Sequence, residues 1–158
     1  MTQGTGIRVQ KSITVKATQE RAFTVFTTKM GTWWPADHHI GDTEFADVVI
    51  EPKSGGRWFE IGKDGAECDW GSVLAYDPHD RFVLTWQLQG DWKYDPDTAR
   101  ASEIEVRFIP EGPDSTRVEL EHRHIDRHGD AGEELRGAFD SDRGWPLTLQ
   151  SFARAVEG

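Results

Sequence analysis

The segment SEIEVRFIPEGPDSTRVELEHRHI, residues 102–125, constrains this chain more than any other stretch. In its first half Ile104, Val106 and Phe108 alternate with Glu103, Glu105 and Arg107. In its second half Val118, Leu120, His122 and His124 alternate with Arg117, Glu119, Glu121 and Arg123. Successive side chains leave opposite faces of a strand, so each half carries one apolar face and one charged face. That is an antiparallel hairpin from a sheet covered on one side and wet on the other. It also puts His122 and His124 in phase with the buried row, at its polar end.

The rest of the chain supplies the covering layer and more strands. GIRVQKSITVKA, with Ile7, Val9, Ile13 and Val15, reads as a first strand. Thr18 is placed to cap a helix over residues 19–29, with Ala22, Val25, Phe26 and Met30 at helical spacing. Gly31 is expected to break that helix, and Pro35 disfavours helix at Trp34. FADVVIEP, RWFEIG, CDWGSVLAYDP and RFVLTWQLQG follow as strands, joined at SGG, at the Asp-Gly of KDGAE and at DPHD. DWKYDPDTA reads as a polar loop. From about residue 130 the chain turns helical, with a stripe of Leu135, Ala138, Phe139, Trp145, Leu149, Phe152, Ala153 and Val156. DSDRGWP interrupts it, so a kink or restart is expected near residues 140–144, with Pro146 tolerated in the first turn of the second piece. A strand, a helix, a run of strands and a long helix make an α+β domain with the helix packed across the sheet.

Composition sets limits on function. The 158 residues suit one domain, taken as 1–158, and seven Trp with eight Phe provide a bulky interior. A net charge of −10 without a basic stripe argues against nucleic acid and anionic membrane as partners. MTQGTGIRVQKS lacks the apolar core of a secretory signal, no apolar run reaches membrane-spanning length, and a cytoplasmic location is expected. The single Cys68 excludes an internal disulfide and an all-cysteine zinc site. Its acidic neighbours raise a thiol pKa and speak against a nucleophile.

TWWP after the first helix, GGRWFEI, DWGSVLAYDPHDRFVLTWQ, IEVRFIPEG, TRVELEH and the terminal GWPLTLQSFARAVE stand in an order that resembles the SRPBCC (START-like) superfamily. Within it, the chain is most similar to bacterial proteins related to the C-terminal domain of the heat-shock-protein ATPase activators. The resemblance spans roughly residues 8–157. It implies a helix-grip fold: a strongly bent antiparallel sheet wrapped around a long C-terminal helix, with a cavity between them. The superfamily includes lipid carriers, polyketide cyclases, hormone receptors and other small-molecule binders, so the fold alone does not choose an activity.

The candidate chemistry is a polar cluster in an aromatic setting. A His-x-His strand pair offers two imidazoles to one metal, yet zinc needs a further ligand. Glu60 fits that role better than Glu67 or Asp69 near the hairpin turn, but no HExxH or CxxC motif supports it, and no metal or cofactor is expected. A buried Glu60 instead needs a partner, and His122 or His124 would serve as an acid–base partner or a ligand anchor. The alternative for the histidines is a hydrated strand end at the rim. His128, in the turn RHGD, is expected to be exposed. Pocket walls are expected from Trp86 and Phe108 on the sheet and from Phe139 and Trp145 on the helix. Trp58 and Trp70 join them, and Trp33, Trp34, His38 and His39 form the mouth; Trp92 belongs to the same set of tryptophans. The leading expectation is an enclosed pocket for a small hydrophobic or aromatic ligand, in a monomer or homodimer. Two alternatives stand beside it: a cofactor-free cyclase, dehydratase or hydrolase using Glu60 with His122 or His124, and a protein-interaction module.

Overall fold

A computed structural model describes residues 8–35, 43–89, 93–142 and 144–157. His38, His39 and Trp92 lie outside them. Seven strands, β1 (Val9–Val15), β2 (Phe45–Ile50), β3 (Arg57–Gly62), β4 (Glu67–Asp77), β5 (Arg81–Trp86), β6 (Ser102–Gly112) and β7 (Ser115–Arg123), form one sheet in the order β1-β7-β6-β5-β4-β3-β2. Every neighbouring pair is antiparallel. Register shifts at Phe45/Asp47, Trp58/Phe59 and Val73/Ala75 bend the β2–β5 half, since an unmatched residue sharpens the local twist.

The hairpin behaves as its alternation requires. Thr116, Val118, Leu120 and His122 of β7 are buried while the residues between them stay half-exposed. On β6 the inward row is Ser102, Ile104, Val106 and Phe108. The outer face is charged and cross-linked. Glu105 accepts from Arg81 at 2.7 Å, Arg107 at 3.1 Å and Arg123 at 2.7 Å. Burial alone would raise its carboxyl pKa, but hydrogen bonds from Arg123, Arg81 and Arg107 outweigh that and hold it below the ordinary value.

Helices close the inner face. Thr18 caps α1 (Gln19–Thr27), its hydroxyl accepting from the Arg21 amide at 3.1 Å. α2 (Met30–Trp33) follows after Thr28 and Lys29, and Trp34 takes the extended conformation that Pro35 favours. Gly31 does not break a helix as expected; it lies inside α2. A Cβ there would stand 1.6 Å from Asp47 Oδ1, so any larger residue would push the Asp47 carboxylate off the Val48 amide that it accepts from. The C-terminal helix comes in two pieces, α3 (Gly132–Asp140) and α4 (Trp145–Glu157), with the restart near residues 140–144 that DSDRGWP implies. A Cβ on Gly144 would meet the Phe139 carbonyl oxygen at 2.3 Å, so only glycine lets the chain fold α4 back against the end of α3.

The core has two connected halves. Phe23 and Phe26 of α1 pack on Phe82 and Phe108 of the sheet, and Phe26 meets Phe152 of α4 with ring centres 4.8 Å apart. Trp33 touches Phe26 and Phe152 and leads through Trp34 to the second half, which is built almost wholly of tryptophan. This is the helix-grip arrangement: a curled antiparallel sheet around a bent C-terminal helix.

Candidate functional site

The second half of the core sits between β3–β5, the β7 end and the start of α4. Trp34 follows α2; Trp58, Trp70 and Trp86 come from β3, β4 and β5; Trp145 opens α4. All five are buried. Their rings form one connected set: Trp34 meets Trp58, Trp70 and Trp145 at 6.2, 5.2 and 6.2 Å between centres. Trp58 meets Trp70 at 5.2 Å and Trp86 at 5.8 Å, mostly edge to face. Phe139 of α3 completes the set at 5.1 Å from Trp86. Edge-to-face packing puts the positive rim of one ring on the negative face of the next.

Two fully buried polar groups are embedded in this aromatic wall. Glu60 on β3 accepts from Trp70 Nε1 at 2.8 Å. His122 on β7 lies flat against Phe139 with ring centres 4.3 Å apart and also contacts Trp86 and Trp145. The sequence offered His122 or His124 as a partner for Glu60, with a hydrated strand end as the alternative; His122 is neither at a wet rim nor bonded to Glu60. Both ring nitrogens of His122 are engaged elsewhere: Trp145 Nε1 donates to Nδ1 at 3.1 Å, and Ser102 Oγ lies 2.7 Å from Nε2.

Ser102 extends this contact into a directional chain. Its hydroxyl is also 2.8 Å from His128 Nε2, and His128 Nδ1 is 3.0 Å from Gln89 Oε1. An indole N–H can only donate, so His122 Nδ1 accepts and the proton of the neutral ring sits on Nε2. That proton goes to Ser102 Oγ, which then donates its own to His128 Nε2. His128 therefore carries its proton on Nδ1 and donates to Gln89 Oε1. Gln89 is oriented consistently, its Nε2 donating to the Arg100 carbonyl at 3.1 Å. One donor-only group thus sets the direction of every bond in the row.

Both imidazoles are held neutral. Burial, reinforced by the nearby His128, pushes the His122 pKa well below 6.5. Burial, reinforced by Arg100, brings His128 to about 4. A charged His122 would need a proton on Nδ1, where Trp145 already points one. The arrangement is therefore a tautomer lock: it presents the Nδ1 lone pair of His122 toward α4 and fills every other ring position with a defined partner. Because the row ends in an amide, it fixes protons and does not pass them outward.

Four expectations need correction. His124 does not continue the buried row: β7 ends at Arg123 and His124 turns left-handed, φ 59°, leaving it half-exposed. His128 is not exposed. Residues Ile125–Ala131 form short 3-10 turns on either side of a kink at Gly129, φ 71°, with Ile125 and His128 turned inward, and His128 is only 2% accessible. Phe108 is buried, but in the α1 half of the core with Phe23, Phe26 and Phe82. Trp33 also belongs chiefly to that half, its N–H donating to the Val25 carbonyl at 2.8 Å. Sequence reasoning missed Ser102, His128 and Gln89. Ser102 was within reach, since the alternation of Phe108, Val106 and Ile104 places it on the same face. Among the described residues no cluster of three or more His, Cys, Asp or Glu side chains could hold a metal ion. No helix among them is long and apolar enough to cross a membrane.

The model of the family described as Activator of Hsp90 ATPase homolog 1-like protein matches residues 16–157. No curated protein matches the chain. Among solved structures, an anthrahydroquino-gama-pyrone synthase in complex with SUM is 42% identical, with 95% of this chain and 97% of that one covered and a TM-score of 0.67. The self-sacrificing resistance protein CalC of Micromonospora echinospora is 35% identical over 94% of this chain and 93% of its own, with a TM-score of 0.66. A Mesorhizobium loti protein is 18% identical over 95% and 96%, with a TM-score of 0.67, and shares the fold alone. With its sheet, its two-piece C-terminal helix and nearly its whole length accounted for, the chain belongs to the Activator of Hsp90 ATPase homolog 1-like family, an SRPBCC-type family.

Proposed function

We propose that this chain binds a small aromatic molecule between the sheet and α4, against the tryptophan wall. The observation that carries the reading is the make-up of that wall. Trp34, Trp58, Trp70, Trp86, Trp145 and Phe139 are gathered in one place, with Glu60 and His122 as its embedded polar groups. Small-molecule sites commonly combine apolar aromatic walls with a few placed polar groups. A core that needed only stability would be cheaper to build from aliphatic residues, without burying a carboxylate and two imidazoles. The 42% identity to a synthase of fused aromatic rings supports the same ligand class.

Catalysis is the second reading, and the His122 geometry favours a specific form of it. A substrate hydroxyl taking the place of the Trp145 N–H would have to donate to Nδ1, the nitrogen that the lock leaves as an acceptor. His122 would then act as general base for an intramolecular ring closure, with Ser102 and His128 as positioning residues. The proton would move from the substrate oxygen to Nδ1 as that oxygen adds to the β-carbon of an enone in the same molecule; the carbon–carbon π pair becomes an enolate, which takes the proton back from Nδ1 and leaves His122 neutral.

Titration with neutral polycyclic aromatic ketones, followed by tryptophan fluorescence, tests the binding reading. Saturable quenching at one molecule per chain is expected. Quenching that rises linearly without saturation, from a chain whose circular dichroism remains native, contradicts it.

A further inference from the structure

Trp58 is less than 2% accessible, and its indole N–H is the buried side-chain polar atom without a hydrogen-bond partner among the described residues. Four other tryptophans show what this fold ordinarily does with such a group. Trp33 donates to the Val25 carbonyl at 2.8 Å, Trp70 to Glu60 at 2.8 Å, Trp86 to the Leu88 carbonyl at 3.0 Å and Trp145 to His122 at 3.1 Å. A buried donor left unpaired forfeits its hydration for nothing, which is why native proteins keep few of them and usually for a reason. The surrounding rings offer little compensation: Trp34 and Trp70 stand nearly perpendicular to Trp58, and an N–H against a ring face is a second-order interaction.

The position of the orphan matters. Trp58 is the ring that links Trp34, Trp70 and Trp86, so the side chain that carries the unpaired N–H belongs to the centre of the aromatic wall. Glu60 lies two residues along the same strand and is also buried, which sets its side chain on the same inner face. A ligand carboxylate or phosphate would have to leave water for an apolar aromatic wall, a costly burial of charge. A neutral oxygen acceptor meets no such penalty.

We infer that the Trp58 indole N–H is the anchor for a neutral carbonyl or hydroxyl oxygen on a flat aromatic ligand, so that the favoured ligand class is aromatic ketones and quinones over hydrocarbons and over aromatic acids. This rests on the proposed binding of an aromatic molecule at the tryptophan wall and adds to it the group that selects among aromatics. The free N–H is satisfied only when the ligand arrives, so the donor contributes to selectivity without a competing internal bond to break.

Fluorenone and fluorene, which share a carbon skeleton and differ by one carbonyl oxygen, provide the test. The unsubstituted chain should bind fluorenone about three- to tenfold more tightly than fluorene, the gain from one neutral hydrogen bond to a buried donor. Trp58→Phe should erase that preference, the fluorenone-to-fluorene affinity ratio falling to about one whatever the smaller ring does to the affinity for either compound, because the variant loses the N–H. An unchanged fluorenone-to-fluorene ratio in Trp58→Phe overturns the anchor while leaving aromatic binding intact. Failure of the unsubstituted chain to bind either compound overturns the aromatic-binding reading and the anchor with it. A second measurement needs no substitution: the Trp58 indole proton resonance should move downfield with fluorenone and not with fluorene. Equal shifts with both compounds count against the anchor.

Discussion

Removing one hydroxyl should break the histidine row at its centre. In Ser102→Ala, the His122 Nε2–H loses its acceptor at 2.7 Å and the His128 Nε2 lone pair loses its donor at 2.8 Å. Ser102 and His122 are completely buried, and His128 nearly so, which leaves little opening for bulk water to replace the lost bonds. Each stranded buried group costs about 1–3 kcal/mol, so a destabilisation of roughly 2–5 kcal/mol is expected near neutral pH. The change in volume is small and no charge is altered, which isolates the hydrogen bonds from packing and electrostatics. Urea unfolding followed by tryptophan fluorescence should show a lower midpoint with an unchanged slope. Ring nitrogen chemical shifts should show His122 with its proton on Nε2 in the unsubstituted chain and a mixture of tautomers in the variant. A loss below about 0.5 kcal/mol, the range of ordinary surface substitutions, together with unchanged tautomers, would refute the directional row.

The same row predicts acid sensitivity. His122 and His128 have folded-state pKa values below the ordinary 6.5, His128 at about 4, so the unfolded chain takes up protons first as pH falls. Their contribution is fully present above about pH 6.5 and is lost on the way down toward pH 4, at up to about 1.4 kcal/mol per pH unit for each ring. Urea midpoints that stay level between pH 7 and pH 5 would contradict this. On the outer face, Glu105→Gln should cost about 2–3 kcal/mol in urea unfolding, because charge-assisted bonds from Arg81, Arg107 and Arg123 converge on that carboxylate. An effect under about 0.5 kcal/mol would mean the three arginines are individually solvated in solution.

What was legible in the sequence follows from the range of the interactions. The β6–β7 hairpin, the Thr18 cap and the restart before α4 depend on residues near one another in the chain, and local pattern finds them. The fate of His124 turned on a single left-handed residue at the strand end, which alternation does not register. His128 looked like a turn residue because RHGD is one. Its burial depends on Ser102 and Gln89, 26 and 39 positions away, meeting where β6 begins and the chain leaves β5. The tryptophans were recognisable as a group, but their partition between two halves of the core was set by helix placement. Phe108 and Trp86 both point inward from the sheet; α1 covers one and α4 the other. Glu60 was rightly suspected of burial and wrongly matched, because an indole N–H from the adjacent strand satisfies part of a carboxylate as well as an imidazole does.

The central claim, an aromatic ligand held at the tryptophan wall, is tested most directly by a crystal structure of the chain grown with fluorenone. The account predicts one molecule between β3–β5 and α4, in ring contact with Trp34, Trp86 or Trp145, with its oxygen within hydrogen-bond distance of Trp58 Nε1. Fluorenone bound only on the charged outer face of the sheet, or a tryptophan wall unchanged and closed at saturating ligand, would contradict it.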